Sequence, residues 1–171
     1  MSYQDFESSV LSPRLKAVAQ HWWQCKGGRL MPAWSDIRPS AIHEHLSIVF
    51  SYVYDAATDE FFGRLAGNTI ASVSGNDFKG VAMKHLRPPD KFPRAFERAK
   101  KVVTEAALYR GEGTIYVADG KRFVGERIVL PLSHDGINPD GIFGAADTHA
   151  IPDYYPLSEG YGEKDYWHSI D

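Results

Sequence analysis

Between Arg64 and His149 the turn and helix signals follow one another in an order that few folds can accommodate. A strand closes in Arg64-Leu65-Ala66-Gly67, and two short, glycine-punctuated turns of helix follow, Asn68–Gly75 and Asp77–Leu86. A long helix, Phe92–Arg110, comes next. It repeats Phe92, Phe96, Ala99, Val103 and Ala106 at helical spacing and leaves Arg94, Arg98 and Lys101 largely on the outer side. Three strands complete the run: Thr114–Ala118, Phe123–Ser133 and Ile142–His149. Asp119-Gly120 joins the first two as a hairpin turn, in which glycine accepts positive φ. A small antiparallel sheet with its helices on one face satisfies this order, and it leaves a pocket between sheet and helices.

Upstream, Ser12-Pro13 starts a helix, because a serine hydroxyl caps a free backbone N–H and proline suits the first helical position. Leu11, Leu15, Val18, Trp22 and Cys25 form one stripe along it, and Gly27-Gly28 stops it. Two heptads are too few to hold a coiled coil alone, so the stripe docks on its own domain or on a second subunit. Asp36–Leu46 reads as a short helix burying Ile42 and Leu46. Ser47–Asp55 and Phe61–Ala66 form a hairpin, with Ile48, Phe50, Tyr52 and Tyr54 on one face. Beyond Pro152, Tyr154, Tyr155, Tyr161, Tyr166 and Trp167 stand among Asp153, Glu159, Glu163 and Asp165. A tail so rich in aromatics is expected to pack on something.

With 171 residues, 43% hydrophobic and 24% charged, the chain fits one domain with extensions: residues 1–30 helical, 31–150 the domain, 151–171 the tail. A net charge of −3 argues against nucleic acid as a partner. No apolar run approaches a membrane span, and the N-terminus lacks the basic and apolar regions of a signal peptide. The single cysteine, Cys25, cannot form an internal disulfide and fits a reducing cytoplasm.

The order of elements resembles a PAS domain, a five-stranded antiparallel sheet flanked by short helices and one long connecting helix. More narrowly it is similar to the bacterial single-domain PAS_5 family. The matching stretches are Arg29-Leu30-Met31-Pro32-Ala33 with Ser35-Asp36-Ile37 and Pro39, then Arg64-Leu65-Ala66-Gly67 with Gly75 and Gly80. Leu130-Pro131-Leu132-Ser133 followed by Asp135-Gly136 completes the set. The resemblance spans roughly residues 10–150, and Trp34 stands where an arginine is commoner in that family. It implies an α+β sensory or ligand-binding fold and names no ligand. It also implies that the N-terminal stripe of Leu11, Leu15, Val18 and Trp22 is a dimer or partner face, since such helices commonly dimerise PAS domains.

A light-sensing flavin needs a cysteine on a short helix after the first hairpin, and Cys25 lies in the N-terminal helix instead. Haem-binding members usually offer a histidine on the long helix. Phe92–Arg110 has none, and His85 just before it reads as a solvated helix-end residue. His43 and His45 point to opposite sides of a helix, while Asp147 and His149 share a strand face but lack further ligands, so no metal is expected. Asp36 reads as a helix cap. Glu126 interrupts the otherwise apolar set Val124, Ile128, Leu130 and Leu132, and Arg64 interrupts its own strand in the same way. If those faces line the cavity, the two could recognise a polar or charged molecule; a structural ion pair is the competing reading.

The expected ligand site therefore comprises Tyr52, Arg64, Asn68, Phe78, Met83, Tyr116 and Glu126, with the cofactor unknown. The expected function is a cytoplasmic, non-catalytic PAS sensor that binds a small molecule, signals by protein contact and forms a homodimer. The alternatives are an enzyme of similar shape, with Glu126 or Asp147 as base and Tyr52 or Tyr116 as polariser, and an empty scaffold for protein contacts.

Overall fold

The computed structural model describes residues 2–75, 77–154 and 161–171. The helices are α1 (Tyr3–Ser9), α2 (Pro13–Lys26), α3 (Asn68–Ser74), α4 (Met83–Leu86) and α5 (Phe92–Glu105). The strands are β1 (Val49–Asp55), β2 (Glu60–Ala66), β3 (Leu108–Ala118), β4 (Lys121–Leu132), β5 (Gly141–Pro152) and β6 (Lys164–His168). Short 3₁₀ turns, Trp34–Asp36 and Pro39–Ile48, occupy the place of the expected second helix. The strands form one antiparallel sheet in the order β2-β1-β5-β4-β3-β6. The α+β class and the PAS-like core match the sequence reading. The sixth strand comes from the aromatic tail, whose Lys164–His168 pairs with Leu108–Glu112 of β3. Tyr155 and Glu159 of that tail lie outside the described residues.

The long helix is one turn shorter than its periodicity suggests. Ala106 adopts a left-handed conformation (φ +51°) and closes it with an N–H to the Val102 carbonyl. Leu108 then gains a strand partner on β6, and Tyr109 and Arg110 gain partners on both β4 and β6. Paired backbone and buried side chains on both neighbours outweigh one more turn of helix.

Each face of the sheet carries its own core. On one face α3, α4 and α5 cover Phe50, Tyr52, Phe61, Tyr109, Val129 and Ile142. On the other, α1 and α2 cover Val49, Leu108, Ile128, Leu130, Leu132 and Phe143. Helix α2 starts as its sequence dictates: Ser12 Oγ accepts the Leu15 N–H at 3.2 Å, Pro13 takes the first position, and Gly27 (φ +55°) ends it. Its Leu15, Val18 and Trp22 are fully buried, and the Trp22 indole donates to the Pro131 carbonyl at 2.8 Å. Burying each of these side chains contributes about 1.5–3 kcal/mol. This corrects the expected dimer stripe. Three of its four residues are spent on the chain's own sheet, and only Leu11 faces solvent, at 74% exposure.

Among the described residues no helix is long and apolar enough to cross a membrane.

Candidate functional site

Residues two apart on a strand share a face, and cross-strand partners share it too. On β4 this sends Glu126, Ile128, Leu130 and Leu132 toward α1 and α2, with Val124 on the same face, while Arg127 and Val129 face α5. The cavity therefore takes the odd-numbered set, and Glu126 is not in it. Glu126 instead ties the N-terminal layer to the sheet. Its carboxylate accepts the Leu11 N–H at 3.0 Å and the Ser12 N–H at 2.8 Å, and it pairs with the buried Arg110 guanidinium. Glu126 is thus in a structural ion pair, but with Arg110 and not with Arg64, the partner its sequence pattern suggested.

Asp147, directly opposite Glu126 in the β4–β5 register, accepts from Ser12 Oγ at 2.6 Å and lies 3.5 Å from Arg14. Both carboxylates considered as a catalytic base are thus on the far side of the sheet from Tyr52 and Tyr116. The base-and-polariser arrangement cannot form.

Arg64 leaves the expected site for a related reason. The β1–β2 register shifts between Ser51 and Tyr52, so Leu65 pairs with Ser51, Gly63 with Tyr52, and Arg64 bulges out between them. Its guanidinium lies 5.1 Å above the Trp34 ring, which itself packs on Phe143 in the N-terminal layer. Asn68 is exposed at the start of α3 and is not among the residues lining the cavity. Asp36 does not cap the segment that Pro39 opens; as the last residue of the Trp34–Asp36 turn it accepts the Ala33 N–H at 2.7 Å, and this bond, chief among its contacts, holds its carboxyl below the usual range.

Tyr52, Met83 and Tyr116 do reach the cavity, and Phe78 packs 4.9 Å from the Tyr52 ring just behind it. The cavity has two adjoining lobes that share Arg87, Ala95, Arg98 and Arg127. The larger, of about 280 Å³, opens between α5, β3 and the segment after α4. The smaller is lined by Phe50, Tyr52, Met83, Val129 and Ile142. Position explains each lining residue. Ala95, Arg98, Ala99 and Val102 recur at helical spacing on the inner side of α5, so Arg98 sits within the buried stripe. The β3–β4 register shifts between Thr114 and Tyr116, which returns Tyr116 to the cavity face.

The polar groups of this cavity are unusual in what they lack. Arg127 and Tyr116 are more than nine-tenths buried and Tyr52 is fully buried, yet the Tyr52 and Tyr116 hydroxyls have no hydrogen-bond partner. The Nε atoms of Arg87, Arg98 and Arg127 have none either. Arg87 lies 5.2 Å over the Tyr116 ring and feels both phenol oxygens electrostatically, without closing a hydrogen bond of good geometry to either. Burial pushes the Tyr52 phenol above its ordinary pKa, with the Arg87 charge opposing, so Tyr52 stays a neutral donor. At the mouth, Glu163 accepts from Arg94 at 2.9 Å and from Arg98 at 3.1 Å, and Asp165 accepts from the Tyr109 hydroxyl at 2.7 Å.

Sequence reading missed the three arginines. Arg127 was hidden by taking the even-numbered face of β4 as the cavity side, and Arg98 by counting it with the solvated residues of α5. The spacing of Ala95, Arg98 and Ala99 was the signal available for Arg98.

No curated protein is significantly similar to the chain in sequence. A family model described as a PAS domain, PAS_5, matches residues 10–146, which include α2, the whole helix–sheet cavity except its C-terminal rim, and the first half of β5. With that match over most of its length, the chain belongs to the PAS_5 family of PAS domains.

Proposed function

We propose that this PAS domain is a cytoplasmic, non-catalytic sensor module that holds a small polar molecule between its sheet and α5 and signals through protein contacts. The observation that carries the reading is the convergence of unpartnered buried polar atoms on one cavity: two tyrosine hydroxyls and three arginine Nε atoms. Buried donors left without acceptors cost about 1–3 kcal/mol each, and a ligand that satisfies them recovers that cost on binding. An empty scaffold has no need of such groups, and phenylalanine, leucine or methionine would fill the same space more stably.

Native mass spectrometry of the purified protein, beside a denatured run and an absorption spectrum, tests this. A co-purifying mass that leaves on denaturation supports a ligand-binding sensor. A bare polypeptide, together with no thermal shift from any compound of a broad metabolite panel, overturns it in favour of a scaffold. The same spectrum reads the oligomeric state. A homodimer would have to use a surface other than the buried faces of Leu15, Val18 and Trp22.

A further inference from the structure

Resting on the ligand-binding reading above, we propose that the cavity takes a small organic anion, a carboxylate or a phosphate monoester, whose acid group is held by Arg87, Arg98 and Arg127 in competition with Glu163. The first support is charge. Five cationic side chains line the larger lobe against two carboxylates, Asp90 and Glu163. Among the described residues neither Arg87 nor Arg127 pairs with a carboxylate, and Arg127 is only 7% exposed. A neutral ligand would leave these desolvated guanidiniums uncompensated, whereas an anion satisfies charge and hydrogen bonding together.

The second support is that the three arginines meet. Arg87, Arg98 and Arg127 line both lobes, so all three side chains border the region the lobes share. A guanidinium presents a planar fork of donors that matches carboxylate and phosphate oxygens two at a time. The third support is that the chain already delivers a carboxylate to this cluster. Glu163 sits on Arg98 at 3.1 Å and on Arg94 at 2.9 Å, at the rim. An entering acid group competes with it for Arg98, which couples occupancy to the segment carrying Glu163 and β6. Size completes the description. At about 30 Å³ per water, the larger lobe holds on the order of ten non-hydrogen atoms. Phe50, Met83 and Val129 in the smaller lobe, of about 20 Å³, leave room for no more than a methyl-sized group.

The test is calorimetric titration and thermal shift of the full chain at fixed ionic strength. The probes are succinate, citrate, benzoate, glycerol phosphate and inorganic phosphate, with succinamide, benzamide and glycerol as neutral counterparts. At least one anion is expected to bind, its neutral counterpart not to, and added salt to weaken the complex. Carboxylate and phosphate arms separate the two acid groups. Arg127→Gln is expected to weaken the binding anion at least about tenfold, the loss of one charge-assisted hydrogen bond. Glu163→Gln is expected to tighten it severalfold. Since Arg127→Gln removes a buried charge and can disturb folding, Arg127→Lys serves as the second variant; it keeps the charge, loses the fork, and is also expected to weaken binding. A neutral probe that binds while every anion fails overturns the anion assignment and leaves a ligand-binding cavity standing. Failure of every probe, together with a bare native mass, removes both. Unchanged anion affinity in both Arg127 variants places the anion elsewhere and overturns the proposal.

Discussion

Replacing Glu126 by alanine separates a tether from a ligand contact, and its size can be worked from the structure. Glu126 is 6% exposed, and its carboxylate holds three donors: the Leu11 and Ser12 amides and the Arg110 guanidinium. Removing one partner of a buried ion pair costs about 3–5 kcal/mol, because the other charge stays buried. Two features pull the figure to the lower end. Arg110 retains Glu112 at 2.7 Å, and Leu11 lies at the surface, where water can replace the lost acceptor. The expected loss is about 3 kcal/mol, a shift of about 1.5 M in the urea midpoint for a slope near 2 kcal/mol/M. Urea unfolding followed by tryptophan fluorescence is the assay, since Trp22 lies buried in the layer that Glu126 anchors. Glu126→Gln, which keeps an acceptor but loses the charge, is expected to fall between wild type and Glu126→Ala. In a cycle with Arg110→Met, the double variant should be more stable than the sum of singles predicts, by about 1–3 kcal/mol. A Glu126→Ala midpoint within about 0.3 M of wild type, roughly 0.6 kcal/mol at that slope, would refute the tether. A large change in ligand affinity in Glu126→Gln, with stability intact, would return Glu126 to the cavity.

Three further outcomes follow from the packing. A Cβ on Gly63 would stand 2.0 Å from the Phe78 carbonyl oxygen, a backbone atom that cannot swing aside, so Gly63→Ala should cost about 3 kcal/mol and lower Tm by about 6–12 °C. Trp22→Phe removes the donor to the Pro131 carbonyl and should cost about 1–3 kcal/mol in denaturant titration, whereas a surface role for that stripe predicts almost none. His21 accepts the Arg38 N–H at 3.0 Å, and its pKa lies below the ordinary value because burial, and then the Arg38 charge, disfavour its cation. Its native pKa is therefore the lower one, and the unfolded chain takes up the proton first. Stability should hold above about pH 6.5 and decline below it, and His21→Gln should flatten that decline.

Much of this molecule is legible from local signals. The Ser12-Pro13 start of α2, the stop at Gly27, the hairpin at Asp119-Gly120 and the inner stripe of α5 depend on contacts within a few residues, so periodicity and capping reveal them. The cavity walls at Tyr52 and Met83 were legible for the same reason, whereas Tyr116 reaches its wall through the shift in the β3–β4 register. Arg64 was not, because a bulge moved it off the alternation, and a one-residue offset carries a side chain through the sheet. Glu126 was misplaced because both faces of β4 carry apolar residues. When helices cover both sides of a sheet, alternation no longer says which side is the cavity.

The class of fold follows from the residues alone: the order of strands and helices, their caps and turns, and the kinship of residues 10–146 with PAS domains. What those elements face was settled in three dimensions. Packing turned the N-terminal stripe onto the chain's own sheet, sent Glu126 and Asp147 to one side, and gathered Arg87, Arg98 and Arg127 on the other. Distance along the chain is the cause. Arg87, Arg98 and Arg127 come from three separate elements, and no local propensity encodes which side of a doubly covered sheet they share.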